Sequence, residues 1–234
     1  MTQPPSPRPR VRDPKAVPVA GTDAHLPALP PAGLTAEALR RRFAEPADWT
    51  PEFAGDAHSF EREARPAAVL VPLVQRADGL HVLLTQRTDH LHDHAGQISF
   101  PGGRTDEGDA DAIATALRET EEEIGLPRRH IEVIGRLPTY TTITCYQVTP
   151  VVALVHPPFE LALDAFEVAE AFEVPLPFLM TPAHHRRHSF EHDGDRRQFL
   201  SMPWHTVTPQ GEREYFVWGA TAAMLRNLYG FLAR

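Results

Sequence analysis

Glu119, Glu122 and Glu123 fall at spacings that matter on a helix. At 100° per residue, with Glu119 as zero, Glu122 lies at about −60° and Glu123 at about +40°. The three carboxylates then share one sector about 100° wide. Glu121 falls on the opposite side, while Ile113, Ala116, Leu117 and Ile124 form an apolar stripe beside the acidic face. Like charges one turn apart repel, and the helix dipole near a C-terminus adds to that cost. Arg118 can offset part of it. A hard divalent cation fits better, since Mg²⁺ prefers carboxylate oxygens and keeps several waters. A solvated acidic surface is the alternative that the helix alone leaves open. Upstream, Phe100-Pro101-Gly102-Gly103 places two glycines where backbone can approach a ligand or adopt positive φ. A glycine-rich loop running into a carboxylate-bearing helix suits a metal–phosphate site.

Those residues need a scaffold, and its parts are visible along the chain. Residues 110–124 carry the helix, with Asp109 or Asp111 as its cap and Gly125 as an αL stop. Strand patterns occupy residues 66–75 and 80–87, separated by the turn signal Asp78-Gly79. Further strands are expected at 131–137 and 146–155. Asp193-Gly194 marks another hairpin between 189–192 and 196–200, and a strand at 215–218 feeds a helix over 220–232. Thr35 caps a short helix over 35–43. Nine prolines fall within residues 1–31, which predicts a mobile or polyproline-like arm over 1–32. A helical lead-in (33–60) and one catalytic domain (61–234) follow. Strands and helices mixed around a single core make the fold class α/β (α+β).

Composition narrows the function. The 234 residues are 42% apolar, enough for one conventional core, and no apolar run reaches the ~18–20 residues that span a bilayer. Residues 1–32 have no apolar h-region of a secretory signal. The formal charge of −8 argues against nucleic-acid binding while allowing a polyanionic substrate if a metal or a few arginines supply local positive charge. The single Cys145 excludes an intramolecular disulfide and a cysteine zinc finger, and its surroundings predict a buried, inert thiol. The run His184-His185-Arg186-Arg187-His188 reads as a solvated loop or strand edge. A soluble, cytoplasmic protein is expected.

The segment REtEEEIGL (118–126), with Gly103 upstream, resembles the Nudix box, whose pattern is GX5EX7REUXEEXGU. Thr120 stands at the first U position. Counting back from Arg118, the box's early Glu position falls on Ala110, and the nearest acid, Asp109, lies one residue further away. Residues 83–103, LLTQRTDHLHDHAGQISFPGG, resemble LLTxR(S/A)x3Rx3Gx3FPGG, the element preceding the box in coenzyme A pyrophosphatases. Thr88 stands for the Ser or Ala there and His92 for the second Arg. This resemblance implies an α/β/α sandwich with a mixed central sheet and a loop–helix–loop metal site. It implies metal-dependent hydrolysis of coenzyme A to 3′,5′-ADP and 4′-phosphopantetheine; other nucleoside diphosphate derivatives, or a non-catalytic ligand-binding module, are the alternatives.

Within that resemblance, Mg²⁺ or Mn²⁺ would be held by Glu119, Glu122 and Glu123, with Glu122 either a ligand or a water-orienting group. Arg118 would hold a carboxylate in a bidentate pair. Arg87, Gly102 and Gly103 would contact substrate. Glu167, chosen over Glu170 and Glu173, would be the general base. Homodimerisation is implied by family analogy.

Overall fold

The computed structural model describes residues 11, 13–55, 63–89, 96–192, 194–209 and 211–234. In chain order the strands are β1 (Val19–Thr22), β2 (Arg65–Arg76), β3 (Gly79–Arg87), β4 (Ile98–Ser99), β5 (Gly102–Arg104) and β6 (Ile131–Arg136). They continue with β7 (Tyr140–Thr141), β8 (Tyr146–Val155), β9 (Val168–Pro175), β10 (Arg186–His192), β11 (Asp195–Thr208) and β12 (Gly211–Trp218). The helices are α1 (Ala36–Ala44), α2 (Ala112–Ile124), the short α3 (Leu176–Leu179) and α4 (Gly219–Leu232).

Eight strands make a mixed sheet whose spine runs β4-β3-β2-β8-β6, with β9 on β3, β5 on β2 and β7 on β8. Among the pairs between these strands, β2–β8 alone is parallel. β2 is apolar on both faces because both are covered. Ala68 and Leu70 pack toward Ala116 of α2 together with Val151 and Ala153. Val71 and Leu73 face a larger core that includes Ala222, Leu225 and Leu228 of α4. Helices on both faces of a mixed sheet give the expected α/β/α layering.

The second sheet, β1-β10-β11-β12, is antiparallel throughout. Its β10–β11 hairpin and the β12–α4 junction match the sequence expectation. The arm does not. Residues 13–32, expected as a mobile or polyproline-like segment, include β1, which pairs with β10 through Val19↔His188 and Thr22↔Arg186. Asp23, 1% exposed, is held by Arg187 through 2.6 and 2.9 Å bonds. Proline fixes φ in an extended range that an edge strand can use, so a Pro-rich composition did not exclude pairing. Residues 1–10 and 12 lie outside the described residues.

The expectation for residues 184–188 is likewise corrected. His185 and His188 are buried. His185 Nε2 bonds the Leu179 carbonyl at 2.7 Å, and His188 bridges the Val17 carbonyl and the Ser201 hydroxyl. Arg187 reaches both Asp23 and Glu52. Cys145 is buried, at φ 66°, in the turn before β8. Among the described residues, no helix is long and apolar enough to cross a membrane.

Candidate active site

The site is built from the start of α2 outward. Asp111 caps the helix by accepting from the Ala114 N–H at 2.9 Å, and Gly125 ends it at φ 64°. Between these ends Glu119, Glu122 and Glu123 share one face, while Glu121 points away and pairs with Arg128 at 3.2 Å.

Glu123 is 6% exposed. Its Oε2 accepts the Gly102 N–H at 3.1 Å, and Arg87 Nη1 lies 3.9 Å from Oε1. Burial pushes its carboxyl up to about 7 against the lowering pull of that N–H and of Arg87. Burial also raises Glu119, with Arg118 opposing. Gly103 has a steric role beside it. A Cβ there would stand 2.4 Å from Glu119 Oε2, so only glycine lets this carboxylate lie against the β5 backbone. At Gly102, with φ 149°, a Cβ would meet the Ala68 carbonyl oxygen, also at 2.4 Å. Both glycines were expected as substrate contacts; here they seat Glu123 and Glu119.

Arg118 is the hub. It makes the anticipated bidentate pair, and the partner is Asp109: Nε to Oδ1 at 2.9 Å and Nη2 to Oδ2 at 2.8 Å. Its Nη1 donates to Glu119 and Glu122, each at 2.9 Å, and Nη2 also reaches the Arg104 carbonyl. Bonding to Arg118 holds the Asp109 carboxyl well below the usual range, helped by the Asp106 N–H and the Thr115 hydroxyl. Asp109 thus fixes the arginine that fixes the acids. Counted back from Arg118, the box's early acid position falls on Ala110; counted forward from Gly103, it falls on Asp109 itself.

Glu167 comes to the same place from another element. The loop after β8 is tied to the end of α2, since the Ala162 and Asp164 N–H groups donate to the Ile124 and Glu123 carbonyls. Thr88, at the end of β3, donates its hydroxyl to the Phe166 carbonyl and its N–H to the Glu167 carbonyl. Glu167 Oε2 then lies 3.9 Å from Arg87 Nη1, the same nitrogen that faces Glu123. Glu173 is elsewhere, paired with Arg76, and Glu170 takes Tyr215 and Arg213. His92 lies outside the described residues.

Among the described residues, no three His, Cys, Asp or Glu side chains form a ready metal cage. Arg118 instead draws Glu119 and Glu122 to itself. The donor set still fits a hard divalent cation: all its ligating atoms are carboxylate oxygens, and soft thiolate donors are lacking. Glu123 is the strongest observation, being a buried carboxylate whose nearest cation stands 3.9 Å away.

Comparison with known proteins places this geometry. The NUDIX domain family profile matches residues 64–176. The Escherichia coli (strain K12) protein named "Uncharacterized Nudix hydrolase NudL" is 45% identical over 166 residues, covering 70% of this chain and 81% of that protein. The protein of the same name from Shigella boydii serotype 18 gives the same identity and coverage. A solved Caenorhabditis elegans Ap4A hydrolase binary complex aligns at 23% identity and TM-score 0.42, over 49% of this chain and 85% of that one. On the relatives' identity and coverage, the chain belongs to the Nudix hydrolases, a family of pyrophosphate-bond hydrolases that use divalent metal ions.

Proposed function

We propose that the protein hydrolyses the pyrophosphate bond of coenzyme A, and of acyl-coenzyme A, to 3′,5′-ADP and 4′-phosphopantetheine, using Mg²⁺ or Mn²⁺. The observation that carries the hydrolytic reading is the convergence of Glu123 of α2 with Glu167 of a separate loop around Arg87, beside Glu119 and Glu122 gathered by Arg118. Residues 83–103 support coenzyme A over other nucleoside diphosphate derivatives, through their likeness to the element of coenzyme A pyrophosphatases.

Glu119, Glu122 and Glu123 would hold the cation. When bound, it neutralises charge on the diphosphate and acidifies a coordinated water. The protein's own groups do the rest. Arg118, locked by Asp109, keeps Glu119 and Glu122 in position. Arg87 supplies fixed positive charge to a phosphate oxygen. Glu167 takes the proton from the attacking water, and the P–O–P bond breaks as the new P–O bond forms. The place of Glu167 on a separate loop facing the α2 carboxylates, outside the proposed ligand set, suits that role.

The test is product analysis by liquid chromatography–mass spectrometry after incubation with coenzyme A and Mg²⁺. The expected result is 3′,5′-ADP plus 4′-phosphopantetheine, abolished by EDTA and reduced at least ~100-fold in Glu123→Gln. Intact coenzyme A alongside cleavage of ADP-ribose or a dinucleoside polyphosphate would overturn the substrate and leave the reaction class. No cleavage across such a panel would move the protein to a ligand-binding role.

A further inference from the structure

Arg87 also lines a cavity of about 340 Å³, together with Gln86, Asp89, Ala169, Glu170 and Arg213. Arg87 is the shared wall. Its Nη1 faces Glu123 and Glu167, while its Nε is buried and has no hydrogen-bond partner among the described residues. A buried N–H of this kind is costly to leave unmade, so an acceptor entering beside it gains more than the usual bond.

Arg213 supplies the cavity's second guanidinium. Nη2 contacts Glu170 Oε2 at 2.6 Å and Gln86 Oε1 at 3.0 Å, so both contacts use one nitrogen of a group with five N–H donors. Glu170 has a second anchor: the Tyr215 hydroxyl donates to Oε1 at 2.6 Å, from a ring stacked on Phe172. Glu170 therefore keeps a partner when Arg213 turns toward a ligand. Ala169 is the one apolar side chain in the lining. Two guanidiniums, two carboxylates and an amide match a ligand with both anionic oxygens and hydroxyls, and would leave an acyl chain or thiol arm against unpaired polar groups.

We propose that this cavity is the subsite for the phosphorylated ribose of the substrate, with Arg213 binding its phosphomonoester and setting specificity for it. Asp89 and Gln86 face the ribose hydroxyls, and Arg87 links the subsite to the diphosphate. This deepens the hydrolytic reading above and rests on it for the position of the diphosphate.

Isothermal titration calorimetry of the full chain with Mg²⁺, using 3′,5′-ADP and 5′-AMP as probes, tests it. The two probes differ only in the second phosphomonoester. The wild type is expected to prefer 3′,5′-ADP by roughly 10- to 100-fold. Arg213→Gln is expected to bring the two within about threefold through loss of 3′,5′-ADP affinity, and Arg213→Lys to fall between. A wild type that does not discriminate, or a preference that persists in every folded variant, overturns the subsite. If coenzyme A is cleaved and no preference is seen, the subsite fails alone. A clear preference in a protein that cleaves no coenzyme A means that the hydrolytic reading has failed and the subsite stands.

Discussion

Glu123 and Glu119 owe their positions to backbone more than to each other. The Gly102 N–H orients one carboxylate, and the missing Cβ of Gly103 makes room for the other. Gly103→Ala therefore puts a methyl group into the end of a flexible side chain while leaving the β5 backbone acceptable for alanine. We predict that hydrolysis falls about 10- to 100-fold, with a stability change under about 1 kcal/mol by chemical denaturation. Equal loss of both would instead assign Gly103 a purely structural role. At this scale the three acids were legible, because helical period alone decides which side chains share a face. Asp109 was not. Its hold on Arg118 depends on the turn in which the Asp106 N–H meets Asp109 Oδ2, and that turn has no repeat to read.

Among the elements, α2 connects the acids to Glu167. Its C-terminal carbonyls receive the Ala162 and Asp164 N–H groups, so the helix stop and the loop that carries Glu167 are one unit. Gly125 sits at the joint, at φ 64°, where a Cβ would lie 2.8 Å from Ala162 Cβ and 2.9 Å from its backbone nitrogen. Gly125→Ala should cost on the order of 2 kcal/mol in denaturant unfolding, from the left-handed backbone and the displaced loop. Activity should fall with it, as Glu167 shifts; a variant of normal stability and rate would refute the coupling. The ends of α2 were predictable because Asp111 and Gly125 act on their immediate neighbours. β1 was hidden for the opposite reason. Its partner β10 lies far along the chain, and no local pattern in a Pro-rich segment announces a distant pairing.

Across the whole molecule, the N-terminal segment, β10 and α4 meet in one polar network, buried at Asp23, His185 and Arg226 and open to solvent at Glu52. Asp23 binds Arg187 and Arg226, Glu52 binds both arginines, and His185 Nδ1 lies 3.3 Å from Arg226 Nη1. No short sequence window contains these five residues, so histidines and arginines that look solvated in the sequence become part of the core. Burial pushes the His185 imidazole down to about 4, the Leu179 carbonyl opposes, and the neighbouring Arg226 charge adds to the lowering. The unfolded imidazole titrates near ~6.5. Between those values the unfolded state binds more protons, so the contribution is complete above about pH 6.5 and is lost as pH falls toward 4. Denaturant midpoints from pH 7.5 to 4.5 should show a loss on the order of 3 kcal/mol from this group, absent in His185→Gln. Parallel pH profiles for the two proteins would exclude His185 as the cause. The network ties the second sheet to α4, on the face of the mixed sheet opposite α2, and the function of α2 can be read directly. We would titrate the whole protein with Mn²⁺ and follow bound metal by electron paramagnetic resonance alongside coenzyme A cleavage. Turnover should rise in proportion to Mn²⁺ occupancy, and both should be lost in Glu119→Gln and Glu123→Gln. Unchanged Mn²⁺ binding in those variants, or turnover without bound metal, would contradict the assignment of the carboxylate face as the metal-dependent centre.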